Sequence, residues 1–134
     1  MRVLADTSVW VDFLRGTDPS AAHVLDRLLA AGEVVMCGPV AAELFAGTAE
    51  ERAPELWSLL AGLRWVELGR AQWREVGETS SALRRRGATV PLTDLVIAVA
   101  ALAARASLWS RDSDFDRVGE ILPALERFAP PKHD

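Results

Sequence analysis

Short unbroken apolar runs alternate along the chain with longer stretches in which apolar residues recur every three or four positions. The first pattern predicts buried strands and the second amphipathic helices. Arg2 to Ala5 reads as a first strand, ending at Asp6. Thr7 or Ser8 can cap a helix through Val9 to Leu14, which Gly16 stops. Ser20 opens a second helix, with Ala21, Val24, Leu25, Leu28 and Leu29 at helical spacing and Gly32 after its end. Val34 to Cys37 is a second strand. Pro39 then suits the first turn of a helix carrying Val40, Glu43 and Leu44.

Glu50 to Gly62 is a further helix, and Trp65 to Leu68 a third strand. A long helix runs from about Arg70 to Arg86 and ends at Gly87. Thr93 to Arg105 follows as a helix. Its Leu95, Val96, Ile97, Val99 and Leu102 face all round it, so it should be buried. Ser107 to Ser110 is a fourth strand, Asp114 to Val118 a helical turn, and Leu125 to Phe128 a weak fifth strand. The tail from about residue 129 to 134, APPKHD, is expected to fray. Alternating strands and helices predict an α/β domain with a short parallel sheet of about five strands and helices on both faces.

Composition narrows the picture. The 134 residues fit one domain, with no linker or internal repeat. Half the residues are hydrophobic and 25% are charged, which excludes a wholly disordered chain. No apolar run reaches the roughly 18 residues of a membrane span, and Asp6 interrupts the start, so no signal peptide is read. A cytoplasmic protein is expected. The lone Cys37 permits no internal disulfide and no multi-cysteine zinc site. With only His23 and His133 as histidines, a metal would be held by oxygen, which favours Mg²⁺ or Mn²⁺. The net charge of −4 argues against a general nucleic-acid coat protein, though not against a nuclease whose acids a metal offsets.

Asp6 closes the first strand and Asp112 lies just past the fourth. Glu43 sits in the helix after the second strand, and Asp94 in the first turn of the buried helix. In an open parallel sheet, the crevice outside the carboxyl ends of the strands is the binding site. If strands one and four are neighbours where the strand order reverses, Asp6 and Asp112 face each other there. Four carboxylates in one crevice repel and raise one another's pKa values, and a divalent cation relieves that. Such an ion can activate water and stabilise a phosphoryl oxygen. Each acid also has a plainer reading: Asp6 as a helix cap, Asp94 at a helix dipole, Glu43 on a surface, and Asp112, Asp114 and Asp116 in a solvated turn. Their conjunction at the strand ends carries the argument.

Four segments resemble, in order and spacing over nearly the whole chain, the PIN domain family and its VapC-type toxins of bacterial toxin–antitoxin pairs. LADTSVWVDFLRG resembles the opening strand and helix with Asp6, and GPVAAELFAG the second motif with Glu43. PLTDLVIAVAAL resembles the third with Asp94, and LWSRDSDFDRV the last with Asp112 and Phe115. The resemblance implies a three-layer α/β sandwich and a homodimer. It also implies Mg²⁺- or Mn²⁺-dependent endoribonuclease activity and inhibition by a cognate antitoxin. Asp6, Glu43, Asp94 and Asp112 would hold the metal and position water, with Asp114 as an accessory candidate. Thr7, Ser8 and Ser110 match polar positions beside the acids, suited to orienting carboxylates.

Arg84, Arg85 and Arg86 are candidates for RNA phosphates, with a solvated helix end as the equal alternative. Setting aside the four acids leaves 15 acids against 15 bases, so the remainder does not repel RNA. Trp65 and Trp109 are expected in the core. Trp10, Trp57 and Trp73 are assigned to packing or to a dimer or antitoxin interface. Two rival folds lack their marks. A receiver domain needs an Asp after the third strand, where Glu67, Leu68 and Gly69 stand, and a late lysine, where only the tail's Lys132 is present. A haloacid-dehalogenase-like phosphatase needs an Asp where Ser8 stands. Two alternatives remain open: a binding module of the same fold that acts through a protein partner without catalysis, and a DNA nuclease of that fold.

Overall fold

The computed structural model describes residues 1–131, so the last part of the expected frayed tail, 132–134, lies outside the described residues. Four strands, β1 (Val3–Ala5), β2 (Val34–Cys37), β3 (Arg64–Val66) and β4 (Ser107–Trp109), form one parallel sheet in the order β3-β2-β1-β4. Val3 pairs with both Val34 and Ser107, so β1 lies centrally between β2 and β4. The chain moves outward from β1 to β2 and β3, then returns to place β4 on the other side of β1. The order therefore reverses between β1 and β4, the position at which a binding crevice is expected.

Seven helices surround the sheet: α1 (Thr7–Arg15), α2 (Pro19–Ala30), α3 (Gly38–Ala46), α4 (Ala53–Ala61), α5 (Arg70–Arg85), α6 (Leu92–Ala104) and α7 (Asp114–Ile121). A turn of 3-10 helix, Glu50–Arg52, leads into α4. No helix among the described residues is long and apolar enough to cross a membrane. The strands are short and apolar because both faces are covered: every residue of β1 and β2 is buried. Helix α6 runs through the interior, with an unbroken buried stretch from Leu95 to Ala101. One continuous apolar core joins it to β1, β2, β4, Trp10, Trp109 and Phe115.

Three local expectations are corrected. Helix α1 is capped by Asp6, not by Thr7 or Ser8, because Asp6 is extended (φ −70°, ψ 162°) and its carboxylate accepts the Ser8 N–H. The expected fifth strand is a single parallel bridge, Leu108 to Arg127, so the sheet has four strands. Two backbone bonds flank it, from the Leu108 N–H to the Glu126 carbonyl and from the Phe128 N–H to the Leu108 carbonyl, both at 2.8 Å, and Pro130 and Pro131 bring no N–H to carry the pairing further. Trp65 is half-buried, its indole N–H donating to the Leu60 carbonyl at 2.8 Å, whereas Trp109 is in the core as expected. Trp10 is wholly buried, while Trp57 and Trp73 are exposed.

Candidate active site at the carboxyl end of the sheet

The central strand delivers Asp6 to the crevice. Its backbone N–H donates to the Trp109 carbonyl at 2.9 Å, which fixes the end of β1 against the end of β4. Both oxygens of the buried Asp6 carboxylate have donors: Oδ1 accepts the Ser8 N–H at 3.2 Å, and Oδ2 accepts the Ser110 hydroxyl at 2.5 Å. Capping and site geometry are thus the same contact. Ser8 contributes through its backbone N–H, and its side chain is exposed.

Ser110, the first residue after β4, turns the chain. Its Oγ also accepts the Asp112 N–H at 3.0 Å, and Asp112 Oδ1 accepts the Asp114 N–H at 2.9 Å. Asp6, Ser110, Asp112 and Asp114 are therefore one hydrogen-bonded chain from the end of β1 to the start of α7. On the other flank, the Thr7 hydroxyl donates to Glu43 Oε1 at 3.2 Å and ties α3 to α1. Glu43 is exposed.

Asp94 occupies the first turn of α6 and is half-buried. A helix N-terminus favours the carboxylate. Even so, its pKa is pushed up from 3.8 to about 6, by burial first and then by the charges of Asp112, Asp6, Asp114 and Glu43. The other three sequence candidates and Asp114 thus all act on Asp94. One carboxylate oxygen each from Asp94, Asp112 and Asp114 lie within 4.8 Å of one another. Adjacent oxygens in the octahedral shell of one Mg²⁺ are about 3.0 Å apart and opposite ones about 4.2 Å, so the three carboxylates would draw together to share one cation. Among the described residues, no ion pair reaches Asp6, Glu43, Asp94, Asp112 or Asp114. The donor set is hard oxygen without an internal cation, which suits a divalent ion. Cys37 offers no competing nucleophile, since burial above all holds its thiol at a pKa of about 11.

Arg84, Arg85 and Arg86 lie outside this cluster, exposed at the end of α5. Arg85 donates to the Ser81 hydroxyl at 2.9 Å, and Arg86 pairs with Glu120 of α7 at 3.4 Å. Arg86 and Arg117 line an open cavity of about 330 Å³ with Leu83, Gly87, Ala88 and Glu120.

Two arginines that sequence reasoning did not single out grip the loop carrying Asp112. Arg111 pairs with Asp12 and Asp18, the latter at 2.7 Å. Arg127 donates to the Ser110 carbonyl at 2.9 Å and to Asp116 at 3.0 Å, and its guanidinium lies 5.6 Å from the centre of the Phe115 ring. The arginine between Ser110 and Asp112 in LWSRDSDFDRV was a visible signal, but its partners are distant in sequence.

Residues 3–121 match the PIN domain. The chain is 35% identical over 124 residues to Ribonuclease VapC11 of Mycobacterium tuberculosis, covering 89% of this chain and 92% of that one. Among solved structures, VapBC-1 of nontypeable Haemophilus influenzae superposes with a TM-score of 0.76 at 19% identity, covering 98% of this chain and 100% of the other. A toxin-antitoxin complex from Klebsiella pneumoniae superposes with a TM-score of 0.65 at 19% identity, covering 98% and 99%. These two likenesses concern the fold.

Proposed function

The chain belongs to the PIN domain family and, within it, to the VapC type; from that premise we propose that it is a metal-dependent endoribonuclease toxin checked by a cognate antitoxin. The observation that carries this reading is the convergence of four acids on a fifth, Asp94, with no ion pair among the described residues to neutralise them. Asp6, Glu43, Asp94 and Asp112 are assigned to hold Mg²⁺ or Mn²⁺, with Asp114 as an accessory ligand. When bound, the cation supplies positive charge to a phosphoryl oxygen and acidifies a water. The chain's own residues do the rest. Ser110 and the Ser8 N–H fix both Asp6 oxygens, and Thr7 turns Glu43. One of these carboxylates would take the proton of the attacking water, so no histidine is required.

For the substrate, Arg84, Arg85, Arg86 and Arg117 are assigned to RNA phosphates beside the scissile one. Arg117 stands about one helical turn after Asp114 in α7 and lines the same cavity as Arg86, which supports this assignment. For partners, the exposed Phe45 and Trp57, packed edge-on at 5.7 Å, and the exposed Trp73 are assigned to the antitoxin and to a second copy of the chain. Residues 1–134 are read as one nuclease domain acting on cytoplasmic RNA.

The test is cleavage of total cellular RNA by purified protein freed of any partner, with fragment ends mapped by sequencing. Mg²⁺ or Mn²⁺ is compared with chelator, and wild type with Asp94→Asn. Discrete metal-dependent cuts, reduced about 1000-fold or more in the variant, are expected. Equal cutting by both proteins overturns the assigned site. Cutting of DNA with RNA left intact selects the DNA nuclease, and no cutting of either selects the binding module.

A further inference from the structure

The loop between β4 and α7 carries Asp112 and Asp114, and it must hold both with a carboxylate oxygen within 4.8 Å of one on Asp94. Exposed loops do not resist the repulsion of like charges by themselves. Arg111 sits between Ser110 and Asp112, and its charge is turned away from the crevice. One terminal nitrogen of its guanidinium meets Asp12 Oδ2 in α1, and the other meets Asp18 Oδ2 at 2.7 Å, at the start of α2. Each of these acids uses its second oxygen locally. Asp12 Oδ1 accepts the Thr17 hydroxyl at 2.9 Å, and Asp18 Oδ1 accepts the Ala21 N–H at 3.1 Å as the α2 cap. Both carboxylates are thus oriented before Arg111 engages them, and a planar fork with two nitrogens spans the pair as a lysine cannot.

We propose that Arg111 is the positioning residue of the site, clamping the Asp112 loop onto α1 and α2. Helix α1 is the one that Asp6 caps. Asp6 and Asp112 are therefore joined twice: directly through the Ser110 hydroxyl, and indirectly through α1, Asp12 and Arg111. The three charged side chains of the clamp are 29% to 41% exposed, sheltered enough for the fork to hold and still outside the core. The clamp's effect on metal affinity rests on the proposed metal-binding role of the acids; its effect on the loop does not.

Two measurements on the full chain separate these. The first is backbone amide exchange at Asp112 and Asp114, whose N–H groups are bonded within the loop. The second is Mn²⁺ affinity by calorimetry. Arg111→Ala is expected to raise exchange at these amides about five- to tenfold and to weaken Mn²⁺ binding about tenfold. Arg111→Lys should recover only part of either. Asp12→Asn with Asp18→Asn should reproduce Arg111→Ala without altering any residue of the crevice. Asn still caps α2, so this variant also guards against simple loss of the fold. Faster exchange with unchanged Mn²⁺ affinity overturns the positioning role, and unchanged exchange overturns the clamp itself. If wild type binds no Mn²⁺ and Asp94→Asn changes nothing, the metal reading fails while amide exchange still decides the clamp.

Discussion

Two sets of acids lie on either side of one short loop, and they are treated in opposite ways. Asp12 and Asp18 share the guanidinium of Arg111, while carboxylate oxygens of Asp94, Asp112 and Asp114 approach within 4.8 Å and, among the described residues, none of the three has an ion-pair partner. Asp12 is held below the usual carboxylate pKa, first by the Thr17 hydroxyl and then, against some desolvation, by Arg111 and Arg15. Asp94 is pushed up to about 6 by burial and by its acidic neighbours. The lesson is that acidity alone marks no site. What distinguishes the crevice, among the described residues, is that arginines pair with its acidic neighbours and with none of its own acids. An acid with its own arginine is finished; an acid without one is left to bind something external.

The sharpest way to break this contrast is to remove the donor that orders the crevice and serves its most sheltered acid. Ser110→Ala deprives Asp6 Oδ2 of its hydroxyl partner and the Asp112 N–H of its acceptor. Asp6 is only 8% exposed, so water cannot readily replace the lost donor. A hydrogen bond to a charged group is worth about 2 kcal/mol, so Mn²⁺ affinity should fall about 30-fold in a calorimetric titration. Affinity within twofold of wild type would mean that Asp6 is held by its Ser8 contact alone.

The next effect appears in melting temperature against pH, with chelator and with Mg²⁺. Asp94 has a folded pKa of about 6 against 3.8 in the unfolded chain, so the folded state holds its proton longer. Its contribution is present below pH 3.8 and is lost as pH rises through 6. Metal-free protein should therefore lose stability between about pH 4 and pH 6, by about 1 kcal/mol after solvent screening of a half-buried group. Mg²⁺ should flatten that decline by neutralising the cluster. Asp12 has the opposite sign: its lowered pKa contributes stability above 3.8 that is lost on further acidification, whether or not metal is present. Parallel curves with chelator and Mg²⁺ would remove the distinction between the two sets.

Much of this arrangement was legible in the chain. The all-round apolar helix with one acid in its first turn, and acids falling just after apolar strands, are local patterns set by burial and chain direction. They point to Asp6, Asp94 and Asp112, whereas Glu43, inside the helix after the second strand, is marked only by its conjunction with these three and by the family resemblance. The clamp was not legible, because Asp12, Asp18 and Arg111 look like surface charges until folding brings residues 93 and 99 positions apart together. The short fifth segment was over-read for a related reason. Its apolar residues fit a strand, but whether a ladder extends depends on free N–H groups and on the neighbouring edge, not on hydrophobicity. Arg105 ends α6 in the left-handed region (φ 55°), where a glycine would be the usual signal, so that turn carried no mark either.

The smallest effect tests whether shelter also ranks the members of the crevice. The Thr7 hydroxyl donates to Glu43 at 3.2 Å, as Ser110 does to Asp6, but this pair is exposed. Water can take over the lost donor for Glu43 at little cost, so Thr7→Val should weaken Mn²⁺ binding only about twofold, equivalent to about 0.5 kcal/mol. Valine keeps the β-branched shape and similar helix propensity, so α1 should not shift and its cap at Asp6 is untouched. The same titration used for Ser110→Ala makes the two losses directly comparable. If Thr7→Val costs as much as Ser110→Ala, the placement of Glu43 governs the crevice, and the buried end of β1 is no longer its anchor. If the two differ by the expected order of magnitude, the site is built outward from its most sheltered acid. Asp6 is then the fixed point from which the Asp112 loop is positioned, and Glu43 the adjustable one.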